Sequence, residues 1–215
     1  MRLLIVKTSS MGDVVHALPV LSDLRRHFPD VEIDWLVEPP FAAIPALHPA
    51  VAQVHRLPWR KWRKQLWKPS VWRAMAELRR TLRARQYQAV IDLQGLYKSA
   101  LWARQAGAPV SGYNAASARE SGATRSYARC FAVSRDLQAV DRCRQLVAAH
   151  FGWDLNTLGP ADFGLQGVTA AGLRESAPAY AVLVPNASRP EKLWPLAHWQ
   201  AVGQALRAQG LEPVV

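Results

Sequence analysis

The loop Lys7-Thr8-Ser9-Ser10-Met11-Gly12-Asp13 is the first place in the chain where residue types and spacing could do chemistry. It follows the apolar run that begins at Leu3, and beyond it Val14, Ala17, Leu18, Leu21 and Leu24 recur at three- and four-residue spacing until Pro29. That pattern predicts a strand, a loop and a helix. Open α/β sheets bind their ligands at such strand ends. Gly12 allows a ligand to approach the backbone, and free amides at a helix start favour an anion. The loop lacks the Gly-Lys-Ser/Thr ending of a phosphate-binding P-loop and the glycine spacing of a dinucleotide site. Asp13 has two compatible readings. As a helix N-cap it would contribute about 1 kcal/mol; as a general base it would accept a proton from a weak nucleophile such as a hydroxyl. His16 reads either as a packed or capped residue or as a second group facing the same cleft.

A second feature is electrostatic. The formal net charge is +11, yet residues 56–85 carry eleven basic side chains against one acid, Glu77. Trp59, Trp62, Trp67 and Trp72 are interleaved with them. Such a segment concentrates anions, whether nucleic acid, anionic lipid headgroups or a phosphorylated substrate. No nucleic-acid fold signature accompanies it. No run of about 18 apolar residues suits a transmembrane helix. The two cysteines, Cys130 and Cys143, form neither a disulfide framework nor a zinc spacing, so a reducing compartment, the cytoplasm, is expected.

The elements needed to position these residues follow from periodicity. Glu32 to Val37 and Val51 to Leu57 read as strands, and a helix is expected from Ser70 to Arg85. Ala89 to Leu93 reads as a strand running into Gln94-Gly95, followed by a helix from Tyr97 to Arg104, a strand at Pro109 to Tyr113 and a helix from Ala139 to Phe151. Strands alternating with helices imply an α/β fold with a parallel sheet. Residues 1–152 form the expected first domain, and the Gly-, Pro- and Ala-rich residues 153–178 the expected linker. Residues 179–215 supply a strand, an amphipathic helix and the start of another strand. A domain ending there would leave hydrophobic faces uncovered, so the sequence is expected to come from a longer protein.

The opening loop resembles that of the heptosyltransferase family, glycosyltransferase family 9, with the GT-B fold. Similar stretches run in order through Asp34-Trp35-Leu36-Val37-Glu38, Val90-Ile91-Asp92-Leu93-Gln94-Gly95-Leu96, Lys98-Ser99-Ala100, Ser117-Ala118-Arg119-Glu120 and Lys192-Leu193-Trp194-Pro195. The resemblance implies two Rossmann-like domains with parallel sheets, the first holding the acceptor and the second the nucleotide-sugar, with chemistry between them. It implies an inverting, metal-independent transfer of L-glycero-D-manno-heptose from the co-substrate ADP-L-glycero-beta-D-manno-heptose, without a further cofactor, to Kdo2-lipid A in lipopolysaccharide inner-core synthesis.

Carried over position by position, the resemblance makes Asp13 the catalytic base. It assigns Gly12, Ser188 and Lys192 to the donor, Lys192 offsetting charge on the departing ADP. Asn186-Ala187-Ser188 departs from the family's threonine pair at this point. Ser10, Arg60, Lys61, Arg63, Lys64, Gln94, Lys98 and Arg119 fall on the acceptor side, and no metal ligand is expected. Residue by residue, Lys192, Arg119 and the basic run also read as ordinary solvated cations, and Asp92 and Gln94 as loop hydrogen-bonders. The implied partners are the Kdo-bearing lipid and the anionic cytoplasmic face of the inner membrane, where Trp59, Trp62 and Trp67 could sit at headgroup level. Transfer to an already heptosylated core, and a non-enzymatic basic module binding nucleic acid or membrane, are the alternatives.

Overall fold

The computed structural model describes residues 1–154, 157–165, 179–187 and 190–215. They fall into two compact units, Met1–Val168 and Thr169–Val215. In the first, β1 (Arg2–Val6), β2 (Glu32–Val37), β3 (Val51–Arg56), β4 (Ala89–Asp92), β5 (Val110–Tyr113) and β6 (Arg129–Phe131) form one sheet in the order β3-β2-β1-β4-β5-β6. Every pairing is parallel. Leu3, Leu4, Ile5 and Val6 are fully buried, as a central parallel strand covered on both faces must be.

Side chains alternate between two cores. Leu3, Ile5, Ile33, Trp35 and Ile91 pack under α1 (Met11–His16), α2 (Pro19–His27) and α7 (Ala139–Phe151). Leu4, Val6, Leu36 and Val90 pack on the other face with Trp62, Val71, Leu82 and Trp102, carried by α4 (Trp59–Trp62), α5 (Pro69–Ala84) and α6 (Tyr97–Gln105). A short α3 (Ala43–Ala46) precedes β3. The strand order reverses between β1 and β4, so the loops leaving these two strands diverge to opposite faces and open a crevice.

Two expectations change, and one strand is added to them. The helix expected through Val14 to Leu24 is two helices, because Pro19 cannot continue the first turn ladder and instead opens α2. The edge strand β6 carries only three residues and gave no alternation to read. Residues 153–154 and 157–165, expected as part of the 153–178 linker, pack on the first unit. Trp153 stacks on His27 at 3.8 Å, Phe163 and Leu165 lie against the first core, and Arg144 donates to the carbonyls of Leu158 and Gly159. Arg144 is itself fixed by a two-pronged ion pair to the buried Asp23, with a shortest contact of 2.7 Å.

In the second unit β7 (Tyr180–Val182) and β8 (Glu212–Val214) pair in parallel, joined through α8 (Leu196–Ala208). A parallel pair requires such a crossover.

Candidate functional site

The loops after β1 and β4 are laced together where the strand order reverses. Lys7, nearly buried, donates its ammonium to the Leu93 carbonyl at 2.7 Å. The side-chain oxygen of Gln94 accepts the backbone amides of Thr8 at 2.9 Å and Ser9 at 3.2 Å. Asp92 shapes the second loop from beneath: its carboxylate accepts the Gln94 amide at 2.9 Å, the Ser99 hydroxyl at 2.7 Å and the Tyr127 hydroxyl at 2.7 Å. Gly95 turns this loop with φ of +67°, and a Cβ there would lie 3.4 Å from the Arg119 amide. Only glycine combines that backbone with so close a neighbour.

Ser10, not Asp13, is the N-cap of α1; Asp13 is its third residue. One oxygen of Asp13, Oδ2, accepts both the amide and the hydroxyl of Ser10 at 2.9 Å. The bond from the Ser10 amide satisfies a donor that a helix start leaves unpaired. Among the described residues no hydrogen bond or ion pair occupies Oδ1. Asp13 lines a cavity of about 230 Å³ with Lys7, Leu93, Gln94, Tyr113, Arg119 and Arg142. Burial alone would raise its pKa. The Ser10 amide and hydroxyl and the charges of Lys7 and Arg119 outweigh that and hold the carboxyl below the ordinary aspartate range. The group is ionised at neutral pH, as a base must be before it accepts a proton.

Arg142, on the first turn of α7, was not anticipated from the sequence. Its guanidinium lies 5.1 Å from the Tyr113 ring centroid and donates to the Ser117 carbonyl at 2.8 Å, while its buried Nε has no partner among the described residues. With Lys7 and Arg119 it makes the cavity cationic around a single carboxylate, which suits an anionic ligand carrying a hydroxyl.

The structure gathers some of the other expected residues and separates others. Lys98, on α6, donates to the Ser9 hydroxyl at 3.0 Å and lies 3.8 Å from the Glu38 carboxylate; Arg60 lies 3.7 Å from the same carboxylate. Arg63 adds charge to this cluster. Lys61 and Lys64 are exposed. Gln94 has its carbonyl oxygen committed to Thr8 and Ser9, and Ser10 is bound to Asp13, so both set the loop. Gly12 is exposed, and a Cβ there would meet nothing within 4 Å; the fold itself does not demand a glycine. Lys192 is exposed in the second unit, and Ser188 lies outside the described residues. His16 is exposed at the end of α1.

The tryptophans divide. Trp62 is buried and Trp59 half-buried, packed against Trp102 with ring centroids 5.6 and 6.4 Å apart. Trp62 is a core residue and cannot sit among headgroups, whereas Trp59 packs on that core and also lines the groove next to Trp72. Trp67 and Trp72 are exposed, the latter on a groove of about 410 Å³ shared with Leu66, Met75 and Leu101.

Residues 75–215 match the family model for Glycosyltransferase family 9 (heptosyltransferase). The chain belongs to this family. Over 98% of its length it is 41% identical to lipopolysaccharide heptosyltransferase 1 of Pseudomonas aeruginosa and 38% identical to that of Escherichia coli K12. It spans 59% and 66% of those two relatives. The solved structure of E. coli heptosyltransferase WaaC with ADP-2-deoxy-2-fluoro heptose superposes on 99% of the chain and 68% of that protein, with TM-score 0.91 and 37% identity. E. coli ADP-heptose lps heptosyltransferase II, 18% identical with TM-score 0.69, shares the fold. The fold of this family 9 chain is the α/β, GT-B one expected from its sequence.

Proposed function

We propose that this family 9 chain carries the acceptor side and the base of an inverting heptosyltransferase. In this reading the first unit binds Kdo2-lipid A and the second binds ADP-L-glycero-beta-D-manno-heptose. Oδ1 of Asp13 accepts the proton of the acceptor hydroxyl as its oxygen attacks the anomeric carbon. The bond from that carbon to the β-phosphate oxygen breaks, its electron pair leaves with ADP, and the anomeric centre inverts. Lys192 offsets the charge gathering on ADP, and the transfer needs no metal. Lys7, Arg119 and Arg142 attract the acidic groups of the acceptor, and Arg60, Arg63 and Lys98 meet them at the neighbouring rim.

The observation that carries this reading is the ionised Asp13 carboxylate, held through one oxygen by Ser10 and lining a cationic cavity at the β1 strand end. Among the described residues no helix is long and apolar enough to cross a membrane. The reading places the protein on the cytoplasmic face of the inner membrane because its proposed acceptor is a lipid there, met by the basic surface of α4 and α5 with Trp67 and Trp72 at headgroup level.

The test is ADP release by the full-length protein given ADP-heptose and Kdo2-lipid A, with and without a chelator. Turnover that persists in chelator and gives an inverted product is expected. Turnover only with an already heptosylated acceptor would move the protein one step later. Absence of turnover with both acceptors, together with tight, steeply salt-dependent DNA binding, would replace the enzyme reading by the nucleic-acid one.

A further inference from the structure

Glu38 is buried at 2% exposure just beyond β2, and its amide donates to the Thr8 carbonyl at 3.0 Å. That bond places it against the loop that carries Asp13. Its Oε1 is buried and accepts no hydrogen bond among the described residues. Two cations nevertheless reach it from different elements: Nε of Arg60, on α4, at 3.7 Å and Nζ of Lys98, on α6, at 3.8 Å. We propose that Glu38 is a positioning residue for the acceptor, gathering Arg60 and Lys98 around one buried carboxylate next to the loop that carries Asp13. The inference rests on the heptosyltransferase reading and adds to it the group that organises the acceptor's anion contacts.

Comparison with Asp23 makes the case. Where a buried carboxylate only ties elements together, as Asp23 does with Arg144, the guanidinium closes on it at 2.7 Å with two prongs. At Glu38 both cations stop outside hydrogen-bond distance. Their attraction to the carboxylate holds them in place, while their donors stay free for a carboxylate or phosphate of the ligand. Lys98 uses one of its three donors on Ser9. Arg60 also rests over the Phe41 ring at 5.9 Å.

The charges facing Lys98 come from four places: Glu38 after β2, Arg60 on α4, Arg63 at its end, and Glu120 ahead of the turn at Ser121–Ser126. Burial, with the two arginines, pushes the Lys98 ammonium below the ordinary lysine pKa; Glu38 and Glu120 oppose this. Glu38 is the nearest of the opposing charges and the only one within ion-pair distance of Lys98 among the described residues. Without it, burial and two arginines act on Lys98 with a single distant acid against them. Lys98 then gives up its proton at lower pH, and the acceptor loses one of its cations.

The experiment measures pH profiles of kcat/KM for Kdo2-lipid A and for ADP-heptose on the full-length protein. The variants are Glu38→Gln, Glu38→Asp, Lys98→Arg and the double variant Glu38→Gln/Lys98→Arg. In Glu38→Gln the alkaline limb for the acceptor should move down by at least about one pH unit, the scale on which a lost neighbouring charge acts. KM for ADP-heptose should stay within about twofold, because uniform donor binding is untouched. Glu38→Asp should restore part of the shift. An arginine does not titrate in this range, so the double variant should lose the limb and regain acceptor use at high pH. An unmoved limb in Glu38→Gln, or a double variant no better than the single one, overturns the proposal. Should Glu38→Gln not fold, Lys98→Arg alone decides: persistence of the limb overturns it. Should no acceptor turn over, the heptosyltransferase reading falls, and NMR titration of Lys98 still tests Glu38, since an unchanged Lys98 pKa in Glu38→Gln removes its role.

Discussion

Asp13 and Asp34 are both carboxylates of the first unit with hydrogen-bond donors drawn close, and the fold treats them in opposite ways. Asp34 lies within β2, fully buried, and both its oxygens are used: Arg85 donates at 2.7 and 3.0 Å, Tyr87 at 2.6 Å, and His55 lies at 3.2 Å. These bonds outweigh the cost of burial and hold its pKa down at about 2. Asp13 has one oxygen held by Ser10 and borders a cavity. A closed network spends every lone pair on its own protein and can only stabilise. An open one keeps an acceptor in reserve, and in the proposed reaction that reserve takes the proton. A shifted carboxylate pKa alone does not separate the two cases; the unoccupied oxygen does.

The largest expected effect tests the closed side. Asp34→Ala leaves Arg85, Tyr87 and His55 without their common partner, and should cost about 3 kcal/mol or more of unfolding free energy in denaturant titration. For an Asp whose folded pKa is depressed, the stabilisation is present above the unfolded pKa. It should therefore hold at pH 5 and above and be lost as pH falls from about 4 towards about 2. A variant with wild-type stability and an altered acceptor KM would erase the contrast.

Next comes the open side. Asp13→Ala should lower kcat by about 100-fold or more, the scale of a lost general base. Thermal unfolding should change by no more than about 2 kcal/mol, the upper end for a helix cap. Normal turnover in this variant would take Asp13 out of the chemistry.

A smaller effect is expected at the rim. Replacing Arg60, Lys61, Arg63 and Lys64 together by alanine should raise the acceptor KM at least about tenfold, since each cation near an anionic surface contributes on the order of 1 kcal/mol. KM for ADP-heptose should not follow. Within the set, Arg60→Ala should account for more than Lys61→Ala or Lys64→Ala, because only Arg60 is drawn to the Glu38 carboxylate within ion-pair distance. Equal losses for donor and acceptor would show that the segment is no acceptor site.

What could be read in advance was local. The runs at Leu3 and Ala89, the helical spacing after Ala139 and the loop ending in Asp13 all sit within about a dozen residues, and each foretold its element. What could not be read depends on residues distant in sequence. Trp153, Leu158 and Gly159 lie in a stretch with the composition of a linker and join the first unit through Arg144 and His27. Trp62 lies in a basic run that suggests a surface, yet it packs into the second core against the α6 residue Trp102, with Trp59 resting half-buried beside it. Arg142 is a single charged residue without a motif, and Glu38 closes a family-like stretch that gave it no role; topology brings both to the strand ends.

Gln94 tests the difference between touching the acceptor and setting the loop, and its effect should be the smallest. The resemblance made it an acceptor contact and its residue type equally a loop hydrogen-bonder; its side-chain oxygen holds the Thr8 and Ser9 amides across 86 and 85 residues of chain. Removing that oxygen leaves two amides short of a partner and loosens the segment that ends in Ser10 and Asp13. Gln94→Ala should therefore lower kcat by about tenfold, the cost of misplacing a base by a fraction of an ångström, with acceptor KM little changed. Gln94→Glu keeps an acceptor for both amides and should keep most of the rate. In an Asp13→Ala background Gln94→Ala should cost almost nothing more, because residues acting through one group are not additive. A rise in acceptor KM that adds fully to the Asp13→Ala loss would instead make Gln94 a ligand contact.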